Sequence, residues 1–144
     1  MDTPPNNNGT SSSNNSYGNN FTTHKITVTE GQDVVSIMKD FAMNYEPNSL
    51  LTVFSANGST SLVDIINCGD YNQINRYEGV FRIMSVSWTV ELDSNHSPEN
   101  YGMSTSLKVL LNNLDTGKAF GGIAEQLVAA TPIKISVGSF KRRD

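Results

Sequence analysis

"YEGVFRIMSVSWTVEL", residues 77–92, decides the fold, because its hydrophobic alternation changes phase part-way along. From Met84 onward the even positions are apolar (Met84, Val86, Trp88, Val90, Leu92) and the odd ones polar (Ser85, Ser87, Thr89, Glu91), as in a half-buried strand. Upstream the order inverts. Phe81 and Ile83 are odd, and successive strand side chains point to opposite faces, so they share the face that later carries serines. Two arrangements satisfy this. In one, the sheet packs on its own core with one side and meets a neighbouring chain with part of the other. In the other, a β-bulge at Ile83-Met84 resets the phase within a single core.

The stretches on either side define the fold class. "HKITVTE" (residues 24–30) alternates Ile26 and Val28 with polar neighbours and predicts a strand. In "GQDVVSIMKDFAMNY" (residues 31–45) the period changes: Val34, Ile37, Met38, Phe41, Ala42 and Tyr45 fall on one helical face. Asp33 suits the first turn, where a carboxylate meets the positive end of the helix dipole, and Pro47 stops the helix. "SLLTVFSANGSTSLVDII" (residues 49–66) reads as two strands about Asn57-Gly58, a tight hairpin signal. A polar loop is expected from Cys68 to Asn75, then the long strand or strand pair of the opening quotation, then a second polar loop over residues 91–104. "TSLKVLLNNLDTGKAFGG" predicts another hairpin turning at Asn113 to Gly117, and Ile133, Ile135 and Val137 alternate in a closing strand ending at Phe140. One early helix and many strands joined by short turns make an α+β domain with a largely antiparallel sheet.

A chain of 144 residues suits one domain. The first twenty residues, "MDTPPNNNGTSSSNNSYGNN", offer almost nothing to bury and read as a disordered Asn/Ser-rich tail. The formal charge of −4 gives the chain as a whole no electrostatic reason to seek nucleic acid. The basic cluster Lys141, Arg142 and Arg143 reads as a solubilising end, with nuclear import as its functional alternative. Cys68 is the only cysteine, which excludes an internal disulfide. No leader pattern and no apolar run of about 20 residues is present, so a soluble intracellular protein is expected. The Asn-x-Ser/Thr triplets at Asn8, Asn14, Asn20, Asn57 and Asn95 then follow from composition, not glycosylation.

No catalytic constellation emerges. His24 and His96 are far apart, no paired His or Cys spacing supplies a metal-ligand set, and no serine sits in a Gly-x-Ser-x-Gly elbow. "AFGGIAEQLVAA" lacks the glycine spacing and following Lys of a phosphate loop; Gly121 and Gly122 read as places where backbones approach closely or a strand bends. Glu78, Glu91, Asp93 and Glu99 are too dispersed for a carboxylate pair, and His24 reads as a structural hydrogen-bonding residue. An enzyme is not expected, nor a cofactor or a bound metal.

Several stretches together resemble the plants-and-prokaryotes-conserved (PPC) domain of plant AT-hook nuclear-localized proteins. "FTTHKITVTEGQDVVSIMKDF" (residues 21–41) is similar to that family's opening Phe-Thr-Pro-His-x-Ile-Thr-Val-x-x-Gly-x-Asp-Val block, and "LLTVFSANGSTSLVDI" to its Leu-Ser-x-Asn-Gly segment and Val-rich strand. "YEGVFRIMSVSW" lines up with Tyr-Glu-Gly-Arg-Phe-Glu-Ile-Leu-Ser-Leu-Ser-Gly, and "FGGIAEQLVAATPIKISVGSF" with the glycine-rich strand and Val-Gly-Ser-Phe finish. The resemblance places the domain at residues 21–140, between the tail (1–20) and a basic end (141–144). It implies an α+β domain that trimerises, alone or with other PPC-domain proteins, in nuclear proteins that regulate transcription at AT-rich DNA. The family's DNA contact belongs to a separate Arg-Gly-Arg-Pro hook, which does not occur in this sequence; the first twenty-four residues hold no Lys or Arg. Association with AT-rich DNA is therefore expected through hook-bearing partners, and no DNA-contact residue is assigned. Contacts with transcription factors and subunits are expected at Gly79, Phe81 and Ile83, which match the family's partner segment, whereas Val80 replaces an Arg and Arg82 a Glu. With the resemblance, the inverted phase favours an interface. The competing reading is a stand-alone module for a small ligand or metal, without a DNA role.

Overall fold

The computed structural model describes residues 21–67, 70–100 and 106–141; the tail expected at 1–20, Cys68, and Arg142 and Arg143 lie outside them. In chain order the elements are β1 (Phe21–Val28), α1 (Val34–Met43), β2 (Ser49–Asn57), β3 (Ser59–Asn67), β4 (Asp70–Ser87) and β5 (Thr89–Leu92). A short 3-10 turn at Pro98–Asn100 precedes β6 (Lys108–Asn113), β7 (Ala119–Ala129) and β8 (Ile133–Lys141). The strands form two antiparallel units, a four-stranded sheet ordered β1-β8-β2-β5 and a closed barrel of β3, β4, β6 and β7. The α+β class read from the sequence is the observed one.

Helix α1 forms because Val34, Met38 and Ala42 recur at four-residue steps and all three are buried. Its start is set by Asp33, the N-cap, whose carboxylate accepts hydrogen bonds from the N–H groups of Val35 and Ser36, both at 3.2 Å. The same carboxylate accepts from Leu127 N at 2.8 Å, so the cap also fastens the helix to β7. At the far end Asn44 caps the helix, its side-chain amide donating to the Asp40 carbonyl at 2.9 Å, before Pro47 is reached. His96 Nε2 lies 2.8 Å from the Ala42 carbonyl; since a carbonyl only accepts, that nitrogen carries the hydrogen and covers a C-terminal orphan group.

The Asn57-Gly58 signal does not make a hairpin. β2 pairs with β5 and β8, whereas β3 pairs with β4 and β7, so at Gly58 the chain passes from the sheet into the barrel through a single residue. Glycine is required there: φ is +146°, and a methyl would lie 2.8 Å from Ile133 Cγ1 and 3.0 Å from the Pro132 carbonyl oxygen. An Asn-Gly pair marks a backbone that needs positive φ, which Gly58 has, but which strands then pair is a long-range matter. Trp88 makes the corresponding passage back, from β4 to β5, with its carbonyl accepting from Val53 N at 3.0 Å. The loop expected from Cys68 to Asn75 is also shorter than its polarity suggested. β4 begins at Asp70 and runs opposite β3, with Ile74 facing Ile66 and Arg76 facing Asp64. By contrast the second hairpin turns where its sequence indicated, with Asn113 Oδ1 accepting from Asp115 N at 2.8 Å and Gly117 at φ +75°.

The phase inversion of residues 77–92 resolves as the bulge. Between β4 and β6 the register runs Ile83 to Leu111 and then Ser85 to Leu110, leaving Met84 without an opposite number. Phe81 and Ile83 therefore face the barrel interior with Val63, Leu111 and Leu127, while Trp88, Val90 and Leu92 are buried once the chain has joined the sheet. A second irregularity, two β4 residues (Gly79, Val80) set against Ser61 of β3, precedes Phe81. Gly79 sits there at φ +152°, and a methyl on it would lie 3.2 Å from the Phe81 ring. Gly122, at φ +151°, faces Ile65 inside the barrel, and any Cβ on Gly121 would meet the Val109 carbonyl oxygen at 2.1 Å. Both glycines serve close backbone approach within β7, and neither forms an anion-binding turn.

Candidate partner-binding face on the barrel

A closed four-stranded barrel consumes its inner face and has to present the other to something else. On the inside, Phe81 and Ile83 are 2% and 5% exposed, and Phe120 packs edge-on against Phe81 with ring centroids 5.3 Å apart. On the outside, along the β4–β6 pair, Val80, Met84, Leu110 and Leu114 are 43%, 55%, 41% and 45% exposed. These four are neighbours by register. The Leu114 N–H donates to the Val80 carbonyl at 3.2 Å, Arg82 stands opposite Asn112, and Met84 bulges out beside Leu110. The result is an apolar stripe interrupted by one guanidinium, with no part of the described chain lying over it.

Beside the stripe, where β2 crosses into β3, lies an open groove of about 410 Å³ lined by Asn57, Ser59, Arg82, Leu114 and Thr131, with Gly58 and Ile83 at its base. Its polar walls are tied together. Ser59 Oγ and Thr131 Oγ1 are 3.1 Å apart, Ser59 N donates to Thr131 Oγ1 at 3.1 Å, and Ile83 N donates to the Gly58 carbonyl at 2.9 Å.

Two other polar clusters stand apart from this face. Tyr45 donates its hydroxyl hydrogen to Ser139 Oγ at 2.7 Å, Ser139 donates to the Thr22 carbonyl at 3.4 Å, and His24 Nε2 lies 3.0 Å from Tyr45 Oη and 3.1 Å from Ser139 Oγ. With both hydroxyl hydrogens committed, Nε2 carries the imidazole hydrogen, with Tyr45 Oη and Ser139 Oγ both in reach as acceptors. The Phe41 ring closes the other side, 5.4 Å from His24. Ser139 is buried, so this network is a clasp joining β1, β8 and the segment after α1. Among the described residues no group of three or more His, Cys, Asp and Glu is placed to hold a metal ion, and no helix is long and apolar enough to cross a membrane. The second cluster is a bidentate pair on the barrel, Arg76 Nε to Asp64 Oδ1 at 2.8 Å and Nη2 to Oδ2 at 2.9 Å. The Arg76 hydrogen bonds hold the Asp64 carboxyl below its usual range against the opposing effect of burial, and Asp64 in turn raises Arg76. Sequence reading missed this pair, because Arg76 followed a supposed loop and only the β3–β4 register brings it opposite Asp64.

The sequence matches the Plants and Prokaryotes Conserved (PCC, or PPC) domain over residues 15–141. The chain belongs to this family. Its PPC domain is 35% identical over 125 residues to AT-hook motif nuclear-localized protein 7 of Arabidopsis thaliana, covering 87% of this chain and 38% of the relative. It is 36% identical to AT-hook motif nuclear-localized protein 1, covering 87% of this chain and 34% of that one. The chain thus spans little more than a third of the length of these relatives, which are named as nuclear-localized proteins and not as enzymes. The fold is shared with a plant- and prokaryote-conserved protein of Pyrococcus horikoshii, with a TM-score of 0.65 at 17% identity over 85% of this chain and 81% of the other.

Within this PPC domain the segment expected to meet partners is divided by the barrel wall. Phe81 and Ile83 form the core, a correction to their reading as an outward apolar surface, and Gly79 supplies the backbone conformation that turns Phe81 inward. The side chains of that segment that reach solvent are Val80, Arg82 and Met84.

Proposed function

We propose that this protein is a nuclear transcription regulator of the AT-hook nuclear-localized type, whose PPC domain assembles into homo- or hetero-trimers and contacts transcription factors. It reaches AT-rich DNA through hook-bearing partners. The observation that carries this reading is the uncovered apolar stripe of Val80, Met84, Leu110 and Leu114, a surface that gains free energy when another subunit removes it from water. Family membership and the names of the relatives support the nuclear and DNA-associated part. Joined subunits share binding valency, so any subunit without a hook in a mixed trimer lowers the number of hooks and with it the avidity for DNA.

Size-exclusion chromatography with light scattering tests the assembly. A species of three times the 15.7 kDa chain mass is expected at micromolar concentration, and the double variant Met84→Asp, Leu110→Asp is expected to run as a folded monomer. A wild-type chain that stays monomeric removes the basis of the proposal. Mixing with AT-hook motif nuclear-localized protein 7 should give a mixed assembly that retards AT-rich DNA less than the relative does alone.

A further inference from the structure

We infer that the groove beside Arg82 receives a carboxylate from a neighbouring copy of this chain, completing an ion pair at the border of the apolar stripe. This rests on the self-association reading and names the chemistry that gives it selectivity. Arg82 is exposed on β4, and among the described residues no acidic side chain pairs with it; the two ion pairs there join Arg76 to Asp64 and Lys141 to Glu46. None of the groove's lining residues is acidic. Asn57 and the hydrogen-bonded pair Ser59 and Thr131 line the same groove as Arg82. Of those two hydroxyl hydrogens one is used within the pair, leaving the other to donate to an incoming oxygen. A planar guanidinium with hydroxyl and amide donors nearby is a donor set for a carboxylate.

The occupant follows from where the groove opens. Arg82 and Leu114 belong both to the groove and to the stripe, so whichever chain covers the stripe also reaches the groove. A second copy has carboxylates to offer, with 14 acidic residues against 10 basic ones. In open water such a pair contributes little, because solvent and salt screen it. Partly desolvated beside a covered apolar stripe, the same pair discriminates between subunits that bring a carboxylate and those that do not.

The assembly constant, measured by sedimentation equilibrium for the full chain, provides the test. Replacing Arg82 by Gln is expected to weaken assembly about tenfold and Arg82→Glu further. Between about 0.05 and about 0.5 M NaCl the wild-type constant should fall, while that of Arg82→Gln should stay nearly level. Met84→Ser serves as the contrast, weakening assembly while keeping the salt dependence. Far-UV circular dichroism spectra of all three variants should match the wild type, as both positions are exposed. An assembled wild type whose Arg82→Gln variant associates equally well, with the same salt slope, overturns this inference and leaves self-association standing. A wild type that is monomeric throughout overturns both.

Discussion

The four-stranded sheet and the barrel treat their second faces differently. The sheet turns Val28, Leu51, Ile133, Ile135 and Val137 into the core, and on its reverse side Thr, Ser and Lys predominate. There Thr52 and Thr89 share a hydrogen bond at 3.0 Å and Lys25 Nζ donates to Ser136 Oγ at 3.2 Å; Phe54, at the β2 bulge, is the exposed exception. The barrel fills its own interior, yet its outer β4–β6 face keeps Val80, Met84, Leu110 and Leu114. A strand side that meets only water loses apolar residues at no cost to stability. One that keeps them in a row is held by some other constraint, and subunit contact is the constraint proposed above.

That contrast can be broken at its two extremes. The substitution Phe81→Ala empties the barrel interior and is expected to lower unfolding free energy by about 3–5 kcal/mol, whereas Met84→Ala, on the other side of the same strand, should stay within about 0.5 kcal/mol. Urea denaturation of monomeric variants measures both, and similar costs would mean that the inside and outside of β4 are not distinct. A smaller effect is expected at the junction between the two units. Gly58→Ala has to hold an alanine at positive φ against Ile133, at a cost of about 1–3 kcal/mol in a thermal melt. An unchanged melting temperature would show that the crossing does not require glycine.

The smallest effect concerns the barrel's own ion pair. The folded pKa of Asp64 is depressed, so its contribution to stability is present above the unfolded value of about 3.9 and is lost as pH falls through the folded value. Asp64→Asn should therefore flatten the acid limb of the stability curve below about pH 4 and cost little extra there, while at neutral pH it removes the pairing with Arg76. Because Arg76 is half exposed, the neutral-pH loss is expected to be modest. Parallel acid limbs for the two proteins would count against the assignment.

Local chemistry was legible along much of the chain. The four-residue recurrence of Val34, Met38 and Ala42 sufficed for the helix, the Asn113–Gly117 turn for its hairpin, and the departures at Val80 and Arg82 pointed to a segment whose outer residues now define the candidate face. Where reading stopped was pairing. A glycine needing positive φ looks the same in a hairpin and at a crossing between sheets, and a polar run looks the same in a loop and in a strand whose partner supplies the hydrogen bonds. Residues 77–92 fitted both an interface and a bulge, with the family resemblance favouring the interface, until the β4–β6 register showed that Met84 is skipped.

By itself, then, the order of residues determined the α+β class, the family and the periodic faces of each element, because periodicity and backbone preference act within a few residues. Only the tertiary structure decided that Phe81 and Ile83 are core and that Val80, Arg82 and Met84 look outward. That choice depends on which strand lies opposite, and strand pairing is settled by contacts between residues far apart in the chain.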